Sequence, residues 1–247
     1  MHNYNTLCDE FYVNMHLSTE MDLPQNRETV LHFFEQVQKR FPKMTHFYTR
    51  ERGEYCLEEE KDSGQYRWIS AETKRLCTGS VNPVTLEDAV QQHQTILKLI
   101  PFELSVSHLD CESLNFTLGF DYNYRGNQNE LLAEALGLPP AIDKLSDVAS
   151  GKLLSYEPMI QLALDDSCRT QCRIAFETQT TAYQVRSGEF SEDQISVFLT
   201  VRRFDSLEAG EDFGEELLRL AGICEKLADE YLVENVLQPL QKTIALK

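Results

Sequence analysis

Alternation of apolar and polar residues with a period of two constrains this chain more than any other feature of its sequence. Such alternation places every second side chain on the same face of a strand. It is clearest in segments 10–19 and 114–120, so both segments are predicted to be strands with one buried face. Their apolar members are Phe11, Val13, Met15 and Leu17 in the first segment and Leu114, Phe116, Leu118 and Phe120 in the second.

Segments with helical spacing follow each of these strands. The first begins at Asn26, a favourable N-cap, and stops at Pro42. The second begins at Asn127 and ends at Gly137, which favours a helix C-terminus. Three strand-like runs and another helix come after each. The predicted runs are 46–50, 54–59 and 66–76 with a helix over 85–100, then 159–164, 172–183 and 195–204 with a long helix from residue 213. The helix over 85–100 starts with Thr85 and Asp88, a pattern that resembles a capping box.

This order of elements predicts an α+β protein made of two similar β-α-β-β-β-α units, residues 1–103 and 104–247, which could also form one continuous globular domain. Short turns between strands imply antiparallel, curved sheets covered by helices. The Lys74–Leu76 and Arg202–Phe204 segments, each closing the last strand of a unit, are a local echo between the units. The element order resembles the TATA-binding-protein-like and helix-grip architectures, and this resemblance implies architecture alone.

The charge of the chain restricts its partners. With 40 acidic and 23 basic side chains, the net charge is −17. Nucleic acids and anionic lipids are disfavoured as partners, because both are bound through clustered Lys and Arg. A local basic patch in the 50–75 region remains an alternative. Its members would be Arg50, Arg52, Arg67, Lys74 and Arg75.

Cysteine usage and hydropathy predict a cytoplasmic protein. The seven cysteines are irregularly spaced, which does not suit a disulfide framework. Cys168 and Cys172, four residues apart, are interpreted as packing positions or as positions that flank or start a hairpin, with a redox pair as the alternative. No N-terminal signal peptide is predicted, and the longest uncharged stretch has 11 residues, fewer than the ~20 of a membrane-spanning helix.

Catalytic and cofactor motifs are missing from the sequence. It contains no phosphate-binding P-loop, no dinucleotide-binding glycine pattern, no nucleophile elbow and no zincin pair of histidines. The six histidines show none of the short spacings common among metal ligands. We therefore expect no cofactor and no metal, and we leave an enzymatic role open.

Two sets of residues are candidate binding sites. Tyr122, Tyr124 and Arg125 lie where a buried strand leads into a helix N-terminus, which offers free N–H groups to an anion or a peptide. His93, on the apolar face of a helix, joins them as a ligand-binding candidate. The alternatives are a strand whose tyrosines cover its exposed face, and a packed core histidine.

The second set is a candidate interface. It comprises Tyr66, Trp68, Arg50 and Arg52, because Trp, Tyr and Arg are enriched at interaction hot spots. Trp68 could equally be a core residue.

These observations predict a non-catalytic binding or protein–protein interaction module, with a protein partner or self-association. The spacing from Phe213 to Tyr231 suits a dimer seam or packing on the protein's own sheet. The alternative function is a small-molecule-binding protein or enzyme with a pocket between helix and curved sheet.

Overall fold

A nine-stranded antiparallel sheet with helices is the framework of the protein. The computed structural model describes residues 3–50, 53–149 and 151–247, apart from the side chains of residues 146 and 147. Its strands are β1 (Glu10–Thr19), β2 (His46–Thr49), β3 (Tyr55–Glu58), β4 (Tyr66–Ala71), β5 (Arg75–Val81), β6 (Cys111–Arg125), β7 (Met159–Ala163), β8 (Thr170–Glu177) and β9 (Glu192–Phe204).

Helices connect and cover these strands. They are α1 (Arg27–Arg40), α2 (Leu86–Leu97), α3 (Ile100–Glu103), α4 (Gln128–Leu136), α5 (Pro140–Ala149), α6 (Ala182–Ser187), α7 (Phe213–Leu227) and α8 (Gln238–Ala245). A π-helical segment, Ala228–Leu237, joins α7 to α8. Among the described helices, none combines the length and apolar composition that crossing a membrane requires.

The strand order is β2-β3-β4-β5-β1-β6-β9-β8-β7. At its centre β1 pairs with β6, from Glu10 opposite Asp121 to Thr19 opposite Cys111. The alternation predicted for β1 and β6 decides which side chains face the helices. Val13, Met15 and Phe116 are fully buried on this covered face, against which α2 and α7 pack. The opposite face, here called the open face, carries Tyr12, Asn14 and His16, which keep partial exposure.

The helix boundaries confirm the capping signals of the sequence. The side chain of Asn26 accepts a hydrogen bond from the Thr29 amide at 2.9 Å, and Thr85 accepts one from the Asp88 amide at 3.1 Å. Asn127 accepts from the Asn129 amide at 3.1 Å, and α4 ends at Gly137 with a positive φ of 77°. Each cap satisfies a backbone group that the helix leaves unpaired.

Three boundaries differ from those predicted. The run 66–76 is two strands, β4 and β5, which reverse direction at 72–74, where the Glu72 amide bonds to the Arg75 carbonyl. Residues 72–74 include neither Gly nor Pro, so the sequence does not mark the reversal, and the predicted strand was continued across it. The predicted loop after Pro140 contains α5, and the strand predicted over 172–183 ends at Glu177, before α6. The first half therefore has four strands after α1 instead of three.

The predicted C-terminal helix is confirmed, and its apolar face packs internally. Leu217, Leu220 and Cys224 are fully buried, and α7 contacts β6 and β9. The Cys224 thiol lies 3.6 Å from the Leu199 carbonyl oxygen of β9. This face therefore contributes to the core of the chain itself.

The central sheet core should carry much of the stability. Replacing the buried ring of Phe116 in β6 (Phe116→Ala) should lower the free energy of unfolding by about 3–5 kcal/mol, because it leaves a cavity. The matched variant Phe102→Ala in α3, where the ring is 85% exposed, should change it by less than about 0.5 kcal/mol. Urea denaturation measures both, and equal losses would contradict this assignment of the core.

Candidate functional site

The predicted ligand-binding residues are distributed over two faces of the sheet. Tyr122 and Tyr124 lie on the covered face of β6, and Tyr122 is buried. Arg125 is on the open face, and its Nε donates a hydrogen bond to the Phe190 carbonyl oxygen at 3.1 Å. The structure therefore does not bring Arg125 together with the two tyrosines, and the binding role of these residues stays a prediction.

His93 lies in the core between α2 and the sheet. It is fully buried, and its ring meets Phe116 edge-on, with ring centroids 6.3 Å apart. Burial lowers the pKa of His93 to about 3, since the charged ring would lose its hydration. At neutral pH it is an uncharged core side chain, remote from Arg125 on the other face.

The predicted interface residues that the structure describes lie on or near the open face. Tyr66 and Trp68 are on the open face of β4, half-buried. Arg50 follows β2, where its guanidinium donates to the Tyr48 hydroxyl at 3.0 Å and pairs with Glu54 at 3.2 Å. Arg52 lies outside the described residues. Trp68 is therefore not a covered core residue, and its role at an interface stays a prediction.

Aromatic rings lie across the glycines of the open face. A Cβ on Gly79 would overlap the indole of Trp68, and one on Gly119 would overlap the ring of Tyr12. Tyr12 in turn meets Phe198 edge-on, with centroids 6.2 Å apart. The two glycines thus let aromatic rings approach the backbone, which gives the open face an apolar strip beside its polar residues.

Polar side chains fill two neighbouring cross-strand rows of the open face. One row runs Asn14, Thr117, Thr200 and Arg173, and the next runs His16, Asn115 and Arg202. The hydroxyls of Thr117 and Thr200 are 2.9 Å apart. All seven line a cavity of about 160 Å³. Burial, then the positive charges of Arg75 and Arg202, lower the pKa of His16 to about 4, so it is neutral at pH 7.

A larger cavity of about 750 Å³ opens where α1 ends. It lies between the residues that follow α1 and the ends of β4 and β5, with Phe41, Tyr66 and Val81 in its lining. The guanidinium of Arg67 stacks on the Phe41 ring, 5.5 Å from its centroid. Cations and carboxylates are mixed around it. They are Arg40, Lys43 and Arg67 with Glu59, Glu60 and Asp88.

The outer strand β7 exposes apolar side chains. Met159, Ile160 and Leu162 are 62%, 55% and 52% exposed. β7 pairs with β8 on one side only, so its other edge ends the sheet. Exposed Ile142, Leu145 and Val148 of α5 add to the apolar surface of this half of the chain.

The cysteines are free thiols. Burial raises the pKa of Cys8, Cys77 and Cys111 to about 12, which makes them poor nucleophiles at neutral pH. Cys172 is buried and Cys168 is exposed on the β7–β8 turn. In the described part of the chain, no group of three or more His, Cys, Asp or Glu side chains is arranged to hold a metal ion.

Sequence reasoning missed Arg173, the cavity beside it and the exposed edge of β7. Arg202 was noted only because the end of its predicted strand is similar to the Lys74–Leu76 segment. The sequence signal at β7 is an apolar run without charged residues, 158–164. A buried strand and an edge strand can both have such a run, so the pattern does not distinguish them. For the two arginines there was no local signal, because their neighbours come from four different strands.

The core placement of His93 predicts an acid-sensitive contribution to stability. Its folded-state pKa lies below the unfolded value near 6.5, so the unfolded chain takes up the proton first. The stability that neutral His93 provides is complete above pH 6.5 and falls with pH, by about 2 kcal/mol at pH 5. In His93→Leu this part of the decline should be absent. Urea unfolding of both proteins at pH 7 and pH 5 measures it, and parallel declines would refute the core placement.

Comparisons with protein-family models, with curated proteins and with solved structures found no match. The function therefore has to be inferred from the geometry of the described residues.

Proposed function

We propose that the protein is a non-catalytic, cytoplasmic interaction module that binds a second copy of itself through β7. The observation that carries the proposal is the exposed, apolar and uncharged edge of this strand. An edge strand presents unpaired backbone N–H and C=O groups, which are a template for another strand. Edges that are not used for pairing commonly carry a charge or a proline within the strand, whereas β7 has neither.

The opposite end of the sheet makes a useful contrast. β2 is flanked by polar contacts, with His46 2.7 Å from Glu60 and Arg50 in an ion pair with Glu54. The Phe47 ring is stacked parallel to Tyr55, with centroids 6.4 Å apart. The apolar side chain of β2 is thus partly used within the chain, while those of β7 remain exposed.

The sequence of β7 supports a two-fold contact. Its polarity is symmetric about Gln161, since Met159 and Ile160 precede it and Leu162 and Ala163 follow it. Antiparallel pairing of two copies about Gln161 would place Ile160 opposite Leu162, on the same face of both sheets. A two-fold interface needs such self-complementarity. The absence of charge in the strand also avoids repulsion between copies of a strongly acidic chain.

The proposal includes a structural equivalence of the two halves, and the strand order supports this equivalence. Outward from the central pair, the strands run β1, β5, β4, β3, β2 on one side and β6, β9, β8, β7 on the other. In each half the first strand pairs with the last, as expected for two related units of a TATA-binding-protein-like or helix-grip architecture. In this alignment β7 corresponds to β3, and the outer edge of β3 pairs with β2. A second copy of β7 would take the place that β2 takes in the first half.

Free cysteines and buried thiols support the other parts of the proposal. Seven free cysteines suit a reducing compartment. The raised pKa values of the buried thiols argue against cysteine chemistry at those positions.

Charge placed on β7 should separate the copies. In the double variant Ile160→Lys, Leu162→Lys, each lysine would meet a lysine of the second copy in a desolvated contact. We expect the dissociation constant of the dimer to increase by at least about 100-fold, since like charges across an interface cost several kcal/mol. Light scattering over a concentration series measures the mass.

The control is Leu109→Lys, at an exposed residue of the 3-10 turn His108–Asp110, which should leave the mass unchanged. Both substitutions are at exposed positions, so the fold should persist, and circular dichroism checks this. A wild-type protein that remains monomeric at high concentration would end the proposal.

Small-molecule binding is a second candidate, favoured by the cavity at the end of α1. Its volume of about 750 Å³ falls within the usual size of ligand pockets. The Phe41 ring, held by Arg67, provides an apolar wall.

An aromatic fragment library screened by thermal shift tests this candidate. Fragments that raise the melting temperature of the wild type should lose that effect in Phe41→Ala, which removes the wall, and keep it in Phe102→Ala. Fragments that act equally on both variants would place binding elsewhere, and a screen without hits would count against the candidate.

A further inference from the structure

Arg202 and Arg203 are neighbours in β9 with opposite environments. Arg203 faces the covered side, where Glu211 lies at 3.0 Å and Glu216 at 3.8 Å from its guanidinium. Arg202 faces the open side, and no ion pair of the described residues includes it. Its guanidinium lies over the Phe204 ring, 5.3 Å from the centroid. Among the described residues, Arg203 therefore has two counter-charges and Arg202 has none.

Arg173 in β8 is in the same situation as Arg202. It lies opposite Thr200, in the cross-strand row next to that of Arg202, and it too has no ion pair among the described residues. The Nε atoms of both arginines are buried without a hydrogen-bond partner in the described part of the chain. Burial, followed by the charge of Arg173, lowers the pKa of Arg202. Two half-buried cations side by side, neither of them in an ion pair with a described residue, are unfavourable in the free protein.

Neutral polar groups lie beside the two arginines in the same cavity. The hydroxyls of Thr117 and Thr200 and the side-chain amides of Asn14 and Asn115 line the same cavity of about 160 Å³. The Oδ1 atoms of both asparagines are buried without a partner in the described structure. Amide oxygen and nitrogen can exchange places by rotation of the side chain, so each asparagine can also present its N–H groups. The cavity therefore combines two fixed cations with adaptable neutral donors.

We propose that this arginine site binds the phosphate group of a phosphate monoester. A single carboxylate is matched by one guanidinium fork, whereas a tetrahedral dianion can engage two forks and further donors at once. The two positive charges of the arginines balance the charge of a phosphate monoester, which is about −1.5 to −2 at neutral pH. Phe198 lines the cavity beside them and offers an apolar surface to the organic part of the ligand.

One carboxylate, Glu177, also lines the cavity. It is exposed at the end of β8, so its charge is screened by solvent. It contributes no ion pair to Arg173 or Arg202 in the described residues. This site is on the open face and does not depend on the proposed contact of β7.

Isothermal titration calorimetry at constant ionic strength tests the proposal with three probes. Phenyl phosphate and benzoate share a ring and differ in their anionic group, while inorganic phosphate lacks the ring. We expect phenyl phosphate to bind saturably and at least tenfold more tightly than benzoate. Inorganic phosphate binding as tightly as phenyl phosphate would identify free phosphate as the source. Equal binding of benzoate and phenyl phosphate would overturn the choice of phosphate.

Variants separate this site from general electrostatic attraction. Arg173→Gln and Arg202→Gln should each weaken phenyl phosphate binding by about 10- to 100-fold, the loss of a charge-assisted hydrogen bond. The control Arg27→Gln, at an exposed position in the first turn of α1, should leave the affinity unchanged. Equal affinity of all three variants, or no binding by the wild type, would overturn the proposal.

Thermal unfolding provides a readout that a structural role would not give. Without ligand, Arg202→Gln should melt at the same or a higher temperature than the wild type, because it relieves the repulsion from Arg173. With phenyl phosphate, only the wild type and Arg27→Gln should gain melting temperature. A large loss of melting temperature in ligand-free Arg202→Gln would show that the arginine serves the fold, which would refute the proposal. The oligomeric mass of these variants should match the wild type, so failure here is distinct from failure at β7.

Discussion

The pairing of β1 with β6 is the constraint on which the rest of the structure depends. It joins segments about a hundred residues apart and sets the alignment of both halves of the sheet. A shift by one residue would turn Met15 and its neighbours to the open face and bury Asn14 in the core. The apolar residues of both strands, fully buried under α2 and α7, oppose such a one-residue shift because it would move the apolar face of one strand out of the core.

The same register also determines which side chains lie on the open face. Because Val13 and Leu118 must face the helices, Asn14 and Thr117 must face away and lie opposite each other. Pairing of β6 with β9, and of β9 with β8, extends that row to Thr200 and Arg173. A site with groups from four strands thus needs no loop to assemble it. The backbone positions of its residues are set by the pairing of the strands.

The distribution of charge gives the arginine site its character. The chain carries a net charge of −17, and the segment 205–234 alone holds ten acidic residues and two basic ones. Carboxylates of this segment, Glu211 and Glu216, neutralise Arg203 on the covered side. The sheet separates them from Arg202, which has no ion pair among the described residues. The β7 edge adjoins the open face, since the side chain of Gln161 donates a hydrogen bond to that of Gln171 in β8.

Much of the local structure could be read from the sequence. Period-two alternation located β1 and β6, and the caps Asn26, Thr85 and Asn127 marked helix starts, because these signals arise from residues close together in the chain. The reversal between β4 and β5 was missed because residues 72–74 include neither Gly nor Pro. The helix α5 was missed because Pro139 and Pro140 indicated a loop, whereas Pro140 is the first residue of the helix. Trp68 and His93 each had two interpretations. Only the pairing of β4 within the sheet placed Trp68 on the open face, and only the packing of α2 on the sheet placed His93 in the core.

The sequence by itself determined the class of the protein, the approximate order of its elements and the side chains that must be buried. The tertiary structure alone decided the strand order, the edge position of β7 and the convergence of Arg173 with Arg202. The physical reason is that local propensity and periodicity act over a few residues, whereas strand pairing joins distant segments through their shared burial. Arg202 and Arg203 show the difference most directly, because adjacent residues of the same type acquire opposite surroundings only when the sheet separates them.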